Sequence, residues 1–191
     1  EALRIMGSID AAISVAGFRS SLPYYCVPEF ADGNASYCAE NLYHPLLEDP
    51  VGNSITSDIP VLLTGSNASG KSTFLKSAAL GALMAQTICT VCAASYKAPR
   101  YRIYSSMALR DDIDSGESYF IVEIRSLKRI LDASLNVDGY PVICCIDEVL
   151  RGTNTIERIA ASAQILECFA KRRVMCFAAT HDLELASILE G

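Results

Sequence analysis

Gly65, Gly70, Lys71 and Ser72 stand in the spacing G-x-x-x-x-G-K-[ST] within GSNASGKST, residues 65–73. That spacing suits the holding of polyphosphate. The glycines let the backbone turn tightly and point successive N–H groups inward, and a helix starting at the end of the turn adds a favourable partial charge. Lys71 is then placed to reach the outer phosphates of a nucleotide, and the Ser72 hydroxyl to ligate Mg²⁺. The candidate nucleotide site is the whole run: Gly65, Ser66, Asn67, Ala68, Ser69, Gly70, Lys71, Ser72 and Thr73.

Three further groups carry chemistry. In VICCIDEVLRGTNT, residues 142–155, an unbroken apolar run delivers Asp147 and Glu148. Asp147 is suited to hold magnesium through its shell, and Glu148 to polarise an attacking water as general base. In FAATHDLE, residues 177–184, another apolar run ends in Thr180 and His181, where a histidine can contact a γ-phosphate or orient the water. A lone Asp-Glu pair is often only an acidic turn, and a lone histidine more often caps a helix. The company of the glycine-rich loop favours chemistry for both. The fourth group is RDDIDSGESYFIVEIRSLKRIL, residues 110–131. Ser115 to Ser118 form a polar turn with Ser115 as N-cap, ahead of an apolar stripe of Phe120, Ile124, Leu127 and Leu131. Gly116 and Ser118 are not needed for that stripe. A serine and free N–H groups at a helix start bind phosphate, and because residues 65–73 serve this subunit's own nucleotide, this helix start suits one held by another subunit.

The elements that must position these groups follow from periodicity. Strands are expected at 60–64, 101–106, 142–146 and 174–179, and helices at 1–20, 70–87, 117–134, 155–171 and 182–189. Strands that are apolar throughout, such as residues 142–146, imply burial on both faces, so the class is α/β with a largely parallel central sheet flanked by helices. The first helix carries an apolar face of Leu3, Met6, Ile9, Ile13 and residues 15–18. Pro23 and Pro28 break it into an extended linker, and residues 31–58 read as loops with short strands.

Composition narrows the function classes. A length of 191 residues suits one domain, and a net charge of −6 argues against gripping nucleic acid or anionic membrane through the overall field. Lys171-Arg172-Arg173 and the Lys97, Arg100, Arg102 group read as solvated surface. Residues 77–96 contain no charge, yet their Ala, Ser, Thr and Gln86 content reads as a buried helix and turn, with no membrane partner. Cys144, Cys145 and Cys176 sit in apolar runs as small hydrophobes. Cys89 and Cys92 form a lone CxxC with neither a second pair nor a nearby histidine. A reducing, cytoplasmic setting is expected. The chain starts at Glu1 without a signal peptide, which reads as a piece cut from a longer protein.

Taken together the four groups resemble the ATPase domain of the MutS family of DNA mismatch-repair proteins, within the ABC-type P-loop ATPases. GSNASGKSTFL is similar to that family's phosphate loop, DDIDSGESYF to its signature loop, DEVLRGTNT to its acidic motif and D-loop, and ATHDLEL to its switch-histidine segment. AALGALMAQTICTVCAA resembles the helix and turn after the phosphate loop, and YHPLL, residues 43–47, the His-Pro segment. The resemblance implies ATP and Mg²⁺ as ligands, with Lys71, Glu148 and His181 catalytic and Ser72 and Asp147 on the metal. It implies that Ser118 and Gly116, with Asn154 and Thr155 of the D-loop, face ATP bound to a second MutS-like subunit, and that DNA is met through domains absent here. It also implies a division into the end of lever helices (1–22), a linker and start of the ATPase domain (23–58), and an ATPase domain (59–191) that stops before the last strands. Ala68, Ile88, Cys92, Pro50, Glu157 and Arg158 depart from the family's usual residues and mark a divergent member. Two alternatives stay open: an ABC-type ATPase of another class, disfavoured because Ser118 begins SYF where an LSGGQ-type signature is required, and a poorly hydrolysing nucleotide switch.

Overall fold

In the computed structural model, the described residues are 1–33, 35–66, 69–107, 119–136, 139–150 and 154–189. Thirteen elements follow one another among them: α1 (Ala2–Ser21), β1 (Glu29–Phe30), β2 (Tyr37–Leu42), β3 (Asn53–Ser57), β4 (Val61–Leu63), α2 (Lys71–Ile88), β5 (Ser95–Ala98), β6 (Arg102–Ser106), α3 (Tyr119–Ser134), β7 (Val142–Asp147), α4 (Thr155–Lys171), β8 (Met175–Ala179) and α5 (Leu183–Leu189).

The strands divide into two sheets. One is parallel throughout, in the order β4-β8-β7-β6. Its strands are the four read from apolar runs, displaced by a residue or so at their ends. The other, in the order β1-β5-β2-β3, is mostly antiparallel, with only β1 and β5 side by side in parallel. Residues 31–58, read as loops with short strands, hold β2 of six residues and β3 of five, whereas β5 is a strand that the sequence pattern does not show. β1 and β2 pair with β5, and this sheet shares a core with the parallel one.

Alternation along β7 explains why its sequence is apolar without a break. Ile143 and Cys145 face one core, with Phe177 of β8, Leu75, Ala78, Ala82 and Ala85 of α2, and Tyr37, Ala39 and Leu42 of β2. Val142, Cys144 and Ile146 face the other, with Leu127 and Ile130 of α3, Leu166 and Phe169 of α4, and Leu185 of α5. A strand buried on both faces has no solvent side on which to place polar residues. α2 lies between the two sheets, so its packing residues are small. A Cβ added at Gly81 would come within 3.3 Å of Leu42 and 3.5 Å of Val91. The uncharged run 77–96 is this enclosed helix and the turn after it, and no described helix is long and apolar enough to cross a membrane. Burial pushes the Cys144 and Cys145 thiols upward, consistent with small hydrophobes that stay protonated.

The apolar face read on α1 is largely uncovered among the described residues, with Leu3 83% and Met6 66% exposed, while Val15 and Phe18 are partly covered. In α3, Ile124 lies at the rim of the buried face, and Glu123 and Ile130 are buried instead. The inward line is Phe120, Glu123, Leu127 and Ile130, spaced as successive helical turns require.

Phe177 is fully buried and meets Tyr37 and Phe74 edge-on, with ring centroids 5.0 and 5.9 Å away. It joins the parallel sheet, α2 and the second sheet at one point. Phe177→Ala is expected to destabilise the domain by about 3–5 kcal/mol in denaturant unfolding. A loss below about 1 kcal/mol would mean that the two sheets do not share one core.

Candidate functional site

Leu63, Ala179 and Asp147 lie in one row of the parallel sheet, Leu63 and Asp147 both opposite Ala179. The hydrogen-bond ladder continues one step beyond it. Thr180 N–H donates to the Leu63 carbonyl at 3.0 Å, and Glu148 N–H to the Ala179 carbonyl at 2.9 Å. The glycine-rich loop, the Asp147-Glu148 pair and the Thr180-His181 pair therefore leave the sheet side by side, at its carboxyl edge, where open α/β sheets put their ligands.

Gly65 (φ 140°) and Gly70 (φ 84°) hold backbone conformations that side-chain-bearing residues rarely adopt. Gly70 caps α2, whose first turn carries no acidic residue, so the helix N-terminus is electropositive and uncontested. Lys71 Nζ donates to the carbonyls of Gly65 and, at 2.7 Å, Ser66. The lysine thus lies along the loop it would serve. Ser72 follows in the first turn of α2, and Thr73 is exposed beside it. Asn67 and Ala68 lie outside the described residues. A cleft of about 720 Å³ opens from the loop, lined among others by His44, Val51, Lys71, Thr73 and Phe74. The donors near magnesium's expected place are a hydroxyl and a carboxylate, hard oxygens that suit Mg²⁺ when phosphate and water complete its shell.

Glu148 and Leu150 are left-handed, with φ of 63° and 59°. Non-glycine residues in that region cost on the order of 1–3 kcal/mol each, so their surroundings must enforce it. For Glu148 the enforcing contact is the ladder bond to Ala179. For Leu150 it is the buried Glu123 carboxylate of α3, which accepts the Leu150 N–H. The turn carries the Glu148 side chain to His181, Oε1 to Nδ1 at 3.3 Å, so the two side chains read from separate motifs are in contact.

Behind them Asp182 is buried. Its carboxylate accepts two hydrogen bonds from Arg158 of α4, from Nε at 2.9 Å and Nη2 at 2.7 Å, and its N–H donates to Thr180 Oγ1 at 3.1 Å. The Arg158 guanidinium holds the Asp182 carboxyl below the usual carboxylate range. Asn154 and Thr155 are both exposed. Asn154 Oδ1 caps α4 by accepting Glu157 N–H at 3.0 Å. Gly116 and Ser118 fall outside the described residues, and so does the expected N-cap Ser115. Reading the sequence missed Glu123, Arg158 and Asp182 as members of this region. Glu123 had left a signal: a carboxylate in register with an apolar stripe.

Comparison with known proteins now bears on this geometry. The family model described as MutS domain V matches residues 61–191, well over half of the chain. The chain belongs to the MutS family. It is 34% identical over 182 residues to the DNA mismatch repair protein MutS of Fervidobacterium nodosum, covering 90% of this chain and 21% of that protein. To the protein of the same name from Thermus aquaticus it is 32% identical over 196 residues, covering 98% of this chain and 23% of the relative. The chain thus spans about a fifth of the length of these relatives. In this MutS-family domain the three described motifs are neighbours on one sheet edge, although Asp147 lies 76 positions after Lys71 (147 − 71).

The Asp182 pair gives a pH prediction. A carboxyl lowered in the folded state adds stability that is present above its unfolded pKa and lost as pH falls through the folded one. Asp182→Asn is expected to cost on the order of 1–3 kcal/mol at neutral pH. That difference should shrink as the solution is taken below the ordinary carboxylate range. Urea titrations of both chains at neutral and acid pH check it, and a difference independent of pH would show that the ion pair adds nothing.

Proposed function

We propose that this domain binds ATP with Mg²⁺ in the P-loop manner and hydrolyses it, and that the cycle drives rearrangement of a dimeric, DNA-acting MutS-like protein. The observation that carries the reading is the sheet edge itself: glycine-rich loop, carboxylate pair and histidine side by side, with Glu148 and His181 3.3 Å apart.

In this reading the N–H groups at the start of α2 and in the loop around Gly65 and Gly70 receive the phosphates. Lys71 exchanges its loop carbonyls for phosphate oxygens. Ser72 and Asp147 hold Mg²⁺, which when bound offsets the charge of the outer phosphates. Glu148 orients and deprotonates the attacking water, and His181, held against Glu148, fixes the direction from which that water approaches. The nucleoside end extends into the cleft past His44, Val51 and Phe74. Because phosphoryl transfer depends on positioning and charge stabilisation, a wall supplied by a second subunit matters: Ser118 and Gly116, with Asn154 and Thr155, complete the site of the partner. Asn154 and Thr155 are exposed, as such a role requires. The relatives' shared name, DNA mismatch repair protein MutS, supports a role in DNA repair.

Two variants separate binding from chemistry. Lys71→Ala should keep the fold and weaken Mg-ATP binding in calorimetry, whereas Glu148→Gln should keep binding and slow single turnover by about 10²–10⁴-fold. Equal ATP affinity in the folded Lys71→Ala chain would refute the phosphate role. Lost binding with unchanged chemistry in Glu148→Gln would refute the base. The 191-residue chain is also expected to be mostly monomeric and a poor ATPase whose specific activity rises with protein concentration. Ser118→Ala should abolish the rise while leaving ATP binding by the monomer intact. High activity indifferent to concentration and to Ser118 would exclude a composite site.

A further inference from the structure

Two basic groups that are far apart in the sequence meet at the amino edge of the parallel sheet, opposite the edge that carries Asp147. Arg102 opens β6 beside Val142, the first residue of β7, and Arg172 and Arg173 stand in the turn between α4 and β8. All three line one recess of about 350 Å³, together with Ser134 and Tyr140. Their sequence neighbours are engaged elsewhere, Lys97 with Glu29 and Arg100 over the Phe30 ring at 4.3 Å. Arg102 is held in place: Nε donates to the Tyr140 carbonyl at 2.8 Å and Nη2 to the Asn136 carbonyl at 3.2 Å. Its guanidinium lies against Gly139, where an added Cβ would stand 3.4 Å from Cζ. Arg172 Nη1 reaches Ser134 Oγ at 3.4 Å. The Arg173 guanidinium has no partner among the described residues, and no described residue lining the recess carries a carboxylate. Arg173 also has a φ of 54°, just past the end of a helix, where glycine is the usual occupant.

We infer that this recess binds a phosphate group through Arg102, Arg172 and Arg173, either as inorganic phosphate or as the terminal phosphate of a small organic monoester. Guanidinium groups that share a recess repel one another, and a cleft lined by one sign of charge concentrates the opposite ion. The planar fork of each arginine matches phosphate oxygens. Basic side chains near helix ends have another use, since the last carbonyls attract cations. Arg102 serves that use at Asn136, just past the end of α3. Arg172 instead meets a hydroxyl, and Arg173 leaves its donors free among the described residues. Helix capping therefore accounts for one arginine of the three. A left-handed position filled by arginine, where glycine would adopt the conformation without strain, marks a place where the cation itself is used. The ligand is small because the basic groups surround a recess, whereas a duplex backbone is gripped by a basic surface spanning several phosphates, which a chain of net charge −6 does not favour. Lys71 and its loop lie at the other edge of the sheet, so this site is separate from the nucleotide site.

The experiment follows backbone amide NMR shifts of the 191-residue chain carrying Lys71→Ala, which takes the phosphate loop out of the titration. Inorganic phosphate, phenyl phosphate or a short DNA duplex is added at constant sodium chloride. Should Lys71→Ala fail to fold, the unsubstituted chain serves equally, because the shifts are read residue by residue. Saturable shifts centred on Gly139, Arg172, Arg173 and Val174 are expected with the two phosphates, and the tighter of them identifies the source. Arg172→Gln and Arg173→Gln should each weaken that binding about tenfold, the worth of a charge-assisted hydrogen bond. Arg173→Gly should weaken it as much while the melting temperature holds or rises, since glycine takes a positive φ freely. A lower melting temperature with unchanged phosphate affinity in Arg173→Gly would give the arginine a structural role only and overturn the inference. Shifts confined to residues 65–73, or unsaturable shifts that sodium chloride reproduces, would overturn it too. A duplex that binds more tightly than either phosphate, with the same dependence on Arg172 and Arg173, would replace the small ligand by nucleic acid. None of these outcomes bears on the ATPase reading.

Discussion

Everything at the candidate site depends on the register of β4, β8 and β7. Leu63 and Asp147 each lie opposite Ala179, and the next backbone N–H on either side closes onto that row. A slip of one residue in β7 would move Ile143 and Cys145 to the face that now holds Val142, Cys144 and Ile146. The two cores demand different neighbours, α2 and the second sheet on one side and α3, α4 and α5 on the other. Burial on both faces thus fixes the register, and the register fixes where Glu148 and His181 emerge.

The same burial explains how much was legible beforehand. β4, β7 and β8 are short, apolar and lead into polar residues, β6 is a short run carrying Ile103 and Tyr104, and each intervening helix is long enough to show a period. Those signals located four strands and five helices to within a residue or two, and the Gly65, Gly70, Lys71, Ser72 spacing located the loop. The second sheet left weaker traces. β2 reads YCAENL and β3 NSITS, both with polar residues on solvent-facing positions, inside a stretch rich in turn formers. β5 follows a helix directly after a turn and reads SYKA, four residues with no period of their own. Its strand character comes from partners 55 or more positions earlier, as in Cys38 with Lys97. Local sequence does not carry pairing at that distance.

Side chains within the site divide in the same way. Glu148 and His181 could be proposed one motif at a time, since each follows a strand. Their contact at 3.3 Å belongs to the sheet order, in which β8 separates β4 from β7. In the sequence Arg158 stands out only as a departure from a family pattern, and Asp182 only as part of the segment that resembles the family's switch histidine. Each is unremarkable alone, and only the packing of α4 against α5 makes them a buried pair.

The strained turn after β7 shows how these parts are tied together. Leu150 has a positive φ without glycine's freedom, so its N–H must be held from outside. Glu123 does this from α3, the helix that begins immediately after the segment containing Ser118. Arg158 grips Asp182 from α4, the helix that begins at Asn154 and Thr155. The two segments assigned to a partner's nucleotide are therefore each the lead-in to a helix whose buried charged group is bonded to a turn of this subunit's own site. Displacing either helix start would strain the contact behind it, at Leu150 in one case and beside His181 in the other.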